Sequence, residues 1–199
     1  IALFSRTASF NFDTSRFYNK WLKDLRADQK KGGSVPIIIP RVVFPSNLES
    51  VFVMPVDHWG DACILVPWAE YLARGNKKVL EDNYDSMKRY LKACKFAAGL
   101  FSAGKYRRIW SLGHHYGDWL APNVSLFGWM GRGKWTATAC FANSLGIVSK
   151  IAEILGKSKD AEYYKKLKKE TASAYEKVFT DGKGKLKKEF QTAYVLPLY

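Results

Sequence analysis

The chain has 199 residues, 47% of them hydrophobic and 15% aromatic, with 7 tryptophans. That content supports a substantial core and excludes an intrinsically disordered chain. No run of about 18 uncharged apolar residues occurs, so no membrane-spanning helix is expected. The formal charge of +14 brings a polyanion to mind, but the lysines lie on amphipathic faces. Lys157, Lys159, Lys165, Lys166, Lys168, Lys169 and Lys177 are interleaved with Asp160, Glu162, Glu170 and Glu176. That is a solvated helix face and not a groove-reading stripe, so nucleic acid is not expected as a partner. An acidic polysaccharide remains compatible with the charge.

In chain order, Ile1 to Phe12 reads as the tail of a mostly apolar helix, followed by a polar cap at Asp13-Thr14-Ser15. Phe17, Tyr18, Trp21, Leu22 and Leu25 recur at helical spacing down to about Gln29, opposite Lys20, Lys23, Asp24 and Arg26. This amphipathic helix belongs on an exterior layer. Lys31-Gly32-Gly33 ends it, and Pro36, Pro40 and Pro45 keep the next stretch extended, as an edge strand or a crossing segment.

Trp59 to about Arg74 reads as a helix apolar all round, hence buried on every side, with Pro67 inside it. Gly75 stops it, and Asn76 caps an amphipathic helix over about Lys77 to Ala98. Residues 99 to 133 are a long loop region rich in glycine and aromatics (Trp110, Tyr116, Trp119 and Trp129 among them), read as a pocket wall. Lys134 to Leu155 repeats the buried helix and ends at Gly156. Ser158 caps an amphipathic helix to about Phe179, and a further inner-type helix begins near Phe190. Both ends of the chain stop inside an apolar pattern, as an internal fragment does.

Buried helix, glycine stop, polar cap, amphipathic helix and long loop thus recur. The fold class is all-α, with alternating inner and outer antiparallel helices forming part of an α/α barrel or a stack of hairpins. In the ring, the long loops lead to the N-terminal ends of the inner helices, where free N–H groups and the helix dipole favour carboxylates and hydroxyls.

Two phrases stand at such positions: Trp59-Gly60-Asp61 and Gly117-Asp118-Trp119. Each joins an indole to a carboxylate beside a glycine, which suits a sugar: an aromatic plane for the C–H face, a carboxylate for the hydroxyls. Glycine for a turn and aspartate for a helix cap is the alternative reading of each phrase. Trp59, Asp61, Asp118 and Trp119 are the candidate sugar-binding residues, with His58 and His115 as weaker ones. Cys63, Cys94 and Cys140 lie far apart in apolar patterns and read as buried free thiols. No metal-ligand spacing and no phosphate-binding loop is found, so no metal or cofactor is expected.

With these residues in view, the chain resembles the catalytic barrel of bacterial α-L-rhamnosidases of glycoside hydrolase family 78. The resemblance rests on Thr7-Ala8-Ser9-Phe10-Asn11-Phe12-Asp13, Lys20-Trp21-Leu22-Lys23-Asp24-Leu25, Trp59-Gly60-Asp61-Ala62 with Val66-Pro67-Trp68, and Gly117-Asp118-Trp119-Leu120. Ile151 to Lys157 and Gln191-Thr192-Ala193-Tyr194 add to it. It implies that residues 1–199 form a single domain, an internal fragment of an (α/α)6 barrel of six hairpins. It implies an inverting glycoside hydrolase acting on terminal α-L-rhamnosides, with a rhamnose-containing carbohydrate as partner and Trp59 and Trp119 lining the rhamnose site. In the family the acid glutamate precedes the point corresponding to Ile1, and the base glutamate follows the point corresponding to Tyr199. No catalytic residue is therefore expected in this chain, and the fragment alone is expected to be inactive. A non-catalytic glycan-binding module and a helical-repeat scaffold are the competing readings.

Overall fold

The computed structural model describes residues 1–41, 54–100, 102–122 and 124–198. Eight α-helices are formed among these residues: α1 Ser5–Asn11, α2 Ser15–Asp28, α3 Ala62–Arg74, α4 Lys78–Gly99, α5 Leu126–Met130, α6 Gly133–Ile154, α7 Ser158–Phe179 and α8 Gln191–Leu198. The only β pairing among the described residues is an isolated bridge between Thr180 and Leu186. Val35 to Pro40 forms bends and no strand, because its prolines lack ladder donors. Pro45 lies outside the described residues.

The apolar patterns decide the layers. α3 packs against α1, α2, α4 and α6, while α6 packs chiefly against α7 and also against α4 and α8. Thus α1, α3, α6 and α8 make a continuous inner wall, with α2, α4 and α7 outside it. This is an arc of an (α/α)6 barrel. The inner helix α6 carries buried residues around most of its circumference, including Ala137, Phe141, Leu145, Val148 and Ile151. The outer helix α7 buries one stripe, including Ala161, Tyr164, Leu167 and Tyr175. Within the outer layer, Tyr84 of α4 donates to Asp160 of α7 at 2.8 Å, and Lys88 joins the same carboxylate oxygen at 3.0 Å.

Local signals hold at several boundaries. α3 and α6 stop at Gly75 and Gly156, and Asn76 Oδ1 accepts from Lys78 N at 3.0 Å. Others are corrected. α1 is a short helix beginning at Ser5, because Ser5 closes a turn on to the Ala2 carbonyl. Ser158 is the first helical residue of α7 and makes no capping bond. α3 is not buried on every side: Leu65 and Trp68 are half-buried and Leu72 is 51% exposed. The reason is geometric, since α3 has neighbours on its outer and lateral faces but a free face toward the inside of the arc. α3 continues through Pro67, whose missing N–H leaves the Cys63 carbonyl without its usual helical donor.

Glu70 of α3 is 5% exposed, and its carboxylate oxygens are met by hydrogen bonds from the α1–α2 corner and from Arg74 at the end of its own helix. Ser9 and Thr14 donate to Oε1 at 2.7 and 2.6 Å, and Arg74 Nε reaches Oε2 at 3.3 Å. A buried carboxylate needs such partners to be tolerated, and here they tie the α1–α2 corner to α3.

Candidate functional site

The segment before α3 is shaped by its own backbone. Gly60 N donates to the Val56 carbonyl at 2.9 Å and Trp59 N to the Asp57 carbonyl at 2.7 Å. That tight coil holds His58 in the left-handed region, at φ 63°, which costs a non-glycine residue roughly 1–2 kcal/mol. The strain is offset by the side chain of Asp61, whose Oδ2 accepts from His58 N at 2.9 Å. Its Oδ1 accepts from Ser144 of α6 at 2.7 Å. Asp61 is therefore 2% exposed with both oxygens engaged. Burial pushes its carboxyl up, against the hydrogen bonds from Ser144 and His58 N.

Gly60 has a packing reason. A Cβ there would stand 2.4 Å from Cε2 of Tyr90, a fully buried ring on α4. Gly60→Ala is expected to cost about 1–3 kcal/mol through overpacking, measured as a lower urea midpoint with an unchanged m-value.

A second carboxylate, Asp57, lies beneath His58 and is 1% exposed. Nδ1 of His115 donates to its Oδ1 at 2.8 Å, Thr136 Oγ1 donates to Oδ2 at 2.9 Å, and His58 Nδ1 lies 3.2 Å from Oδ2. Burial opposes the charge of Asp57, but the hydrogen bonds from His115 and His58 overcome it and hold the carboxyl well below the ordinary range. For His58, burial opposes protonation, and the bond to Asp57 with the charges of Asp61 and Asp118 outweighs it, raising the imidazole. His115 is itself only 6% exposed, set edge-on to the ring of Trp110 at 5.0 Å. It supports the loop from within and does not face solvent.

Above this polar base stands an aromatic rim. The rings of Trp59 and Trp119 lie 5.2 Å apart and 24° from parallel. Tyr116 stacks on both, at 4.3 and 4.4 Å, and Trp129 backs Tyr116 and Trp119 at 6.3 Å from each. Trp119 is 44% exposed, whereas Trp129 is 9% exposed. Asp118 is held from two inner helices: Arg132 Nη1, just before α6, donates to its Oδ2 at 2.6 Å, and Thr192 of α8 donates to its Oδ1.

His58, Trp59, Asp118 and Trp119 open on to one cleft of about 1240 Å³. Ala62 and Thr192 at the N-terminal ends of α3 and α8, and Ile1 to Phe4 just before α1, also border it. The cleft thus lies at the N-terminal rim of the inner wall, as the alternation of loops and helices implies. Its opposite side comes from α2, through Phe17 and Trp21, and from the proline segment, which Trp21 secures by donating Nε1–H to the Ile39 carbonyl at 3.2 Å.

Three comparisons bear on this architecture. The family described as bacterial alpha-L-rhamnosidase 6 hairpin glycosidase domain matches residues 1–199. The chain belongs to this rhamnosidase domain family. It is 31% identical over 199 residues to an α-L-rhamnosidase of Formosa agariphila, covering 98% of this chain and 20% of that protein. It is 35% identical to one of Streptomyces avermitilis, covering 100% of this chain and 17% of the relative. Among solved structures, S. avermitilis α-L-rhamnosidase complexed with L-rhamnose superposes with a TM-score of 0.80 at 33% identity, over 100% of this chain and 17% of that one. Native rhamnosidase from Aspergillus terreus also gives 0.80, at 27% identity, over 100% and 22% of the two chains. The chain spans about a fifth of the length of these relatives.

Within this rhamnosidase-family arc, the tertiary structure divides the six candidate residues. His58, Trp59, Asp118 and Trp119 reach the cleft, whereas Asp61 and His115 are buried with hydrogen-bond partners in the chain. The expected pocket wall over residues 99–133 narrows to Gly117, Asp118 and Trp119. Trp110 is core, at 0% exposure. Phe17 was expected on the buried stripe of its helix and is instead 61% exposed at the cleft. Asp57, Thr136 and Thr192 escaped sequence reasoning. Asp57 had one signal, a carboxylate adjacent to a histidine in front of an apolar helix; Thr192 had only its place in a phrase that carries the family resemblance, and Thr136 had none.

Proposed function

We propose that this chain supplies the sugar-binding wall of an inverting glycoside hydrolase that removes terminal α-L-rhamnose from glycans or glycosides. The observation that carries the reading is the stacked pair of Trp59 and Trp119 beside Asp118 and His58, at the N-terminal rim of the inner helices. The exposed indole faces take the C–H face of the sugar, and Asp118 and the His58 ring meet its hydroxyls. Asp61 and His115 act one step back, fixing the loop that carries His58 and Trp59. The relative solved with L-rhamnose supports the choice of sugar.

Inversion needs an acid and a base carboxyl about 6.5–9.5 Å apart across the sugar ring. Among the described residues the carboxylates bordering this cleft are Asp24 and Asp118, and each is engaged by a cation, Lys20 and Arg132 respectively. The acid and base are accordingly assigned to other parts of the parent enzyme. Incubated alone with an aryl α-L-rhamnoside, the chain is expected to give no turnover. Turnover at enzyme-like rates overturns this assignment. With the parent enzyme, proton NMR of the first-formed rhamnose is expected to show the β-anomer, and retention refutes the inverting route.

The wall itself is tested by Trp119→Ala. Because the ring is 44% exposed, its removal is expected to cost about 1 kcal/mol of stability, the value of its stacking contacts. Rhamnose affinity, followed by ligand-observed NMR, is expected to fall about tenfold or more, equivalent to ~1.4 kcal/mol. Unchanged affinity favours the helical-scaffold reading, in which these indoles only pack.

A further inference from the structure

Beneath the rim, three chemically different donors from two distant parts of the chain converge. Sγ of Cys140, on the second turn of α6, lies 3.7 Å from Nδ1 and 3.6 Å from Nε2 of His58. Nδ1 of His58 lies 3.2 Å from Oδ2 of Asp57. One donor atom from each of the three residues falls within 4.8 Å of the others.

The sulfur–nitrogen and nitrogen–oxygen separations are close to two edges of a metal tetrahedron. Bond lengths of about 2.3 Å to sulfur and 2.0–2.2 Å to nitrogen and oxygen place the S–N edge at about 3.6 Å and the N–O edge at about 3.3 Å. We propose that Asp57, His58 and Cys140 form a binding site for a soft divalent cation such as Zn²⁺ at the floor of the cleft.

The donor chemistry selects this class of ion. One thiolate, one imidazole and one carboxylate suit zinc and its neighbours better than magnesium or calcium, and the two anionic donors balance a charge of +2. Binding exchanges the thiol proton for the metal and releases it to water. The sulfur is nearly equidistant from both ring nitrogens, so ligation requires the His58 ring to turn until one nitrogen lone pair faces the shared point. Asp57 already has the outer partners that metal-binding carboxylates need: His115 holds Oδ1 and Thr136 holds Oδ2. Of the three, His58 borders the cleft, which gives an ion a route of entry. Three protein ligands with one open position distinguish this arrangement from a closed structural site.

Co²⁺ serves as the probe, added to the full chain after chelator treatment. The expected result is saturable 1:1 binding with a thiolate-to-cobalt charge-transfer band in the near ultraviolet, which Zn²⁺ abolishes by displacement. Cys140→Ser is expected to remove the band, and Thr136→Val to weaken binding about 10- to 100-fold. Cys63→Ala and Cys94→Ala are expected to retain it, because those thiols lie elsewhere in the core. Absence of the band in the unaltered chain overturns the proposal, as does its persistence in a folded Cys140→Ser chain. Should Cys140→Ser not fold, loss of the band in Cys63→Ala or Cys94→Ala overturns it, and retention in both supports it. No sugar is present in this measurement, so its result is independent of the rhamnoside reading.

Discussion

Asp57→Ala is expected to lower the unfolding free energy of the chain by about 3–5 kcal/mol, the cost of leaving one side of a buried charged cluster without its partner. Three side chains converge on this carboxylate from two other segments, His115 from the long loop and Thr136 from α6, with His58 beside it. Removing it leaves a buried imidazole N–H facing a void where water and protein acceptors are scarce, while the Thr136 hydroxyl keeps only the Gly133 carbonyl at 2.9 Å. Asp57→Asn is expected to fall between the two, because the amide keeps one acceptor but turns an N–H₂ toward donors. Urea denaturation with a chelator present measures the effect without any contribution from metal. Asp82, paired with Lys78 in open solvent, is the matched control, and its removal is expected to leave the midpoint nearly unchanged. A loss below about 1 kcal/mol for Asp57→Ala shows that the loop does not depend on this cluster.

Gly117→Ala is expected to remove both stability and sugar binding. Gly117 sits at φ 66°, and a Cβ there would stand 2.1 Å from the Trp129 carbonyl oxygen. The left-handed backbone alone costs about 1–2 kcal/mol for alanine. The overlap adds roughly 1–3 kcal/mol, because the obstacle is a main-chain carbonyl that a rotamer change cannot clear. The loop must shift to relieve it, and Asp118 and Trp119 are the next two residues. The expected outcome is a loss of about 2–5 kcal/mol in unfolding free energy together with loss of measurable rhamnose binding. Trp119→Ala, by contrast, weakens binding with little change in stability. Full stability and affinity in Gly117→Ala show that the loop accommodates the methyl group elsewhere and that the rim is not built on this close approach.

The contrast between Asp61 and Asp118 shows how far local reading reaches. Both stand beside a glycine and an indole, and nothing in either triplet separates them. Asp61 is at the mouth of α3, where α6 packs across it and supplies Ser144; Asp118 lies on the loop that closes over the cleft edge. Burial is a property of what crosses above a residue, and crossing elements come from far along the chain. For the same reason Trp110 and Trp119, nine residues apart in one aromatic loop, end at 0% and 44% exposure. Phe17 belongs to the apolar stripe of α2 by spacing, yet among the described residues no helix covers its end of the stripe.

Short-range signals were sufficient for the long helices, their order and their inner or outer placement, but the short helix α5 lies in the stretch they read as loop. Hydrophobic period, glycine stops and polar caps act within one or two turns, and they already implied an arc of paired helices with long loops on one rim. The two tryptophan phrases were visible for the same reason, being contiguous. What those signals left open was which polar groups meet. The Asp57–His115 and Asp57–Thr136 bonds join residues 58 and 79 positions apart, and the Cys140–His58 contact joins residues 82 apart. No spacing rule encodes such pairs, because hydrogen bonds and metal geometry depend on ångström-scale placement. That placement is fixed only when α3 and α6 dock against each other and the loop between Gly113 and Gly117 is folded over them.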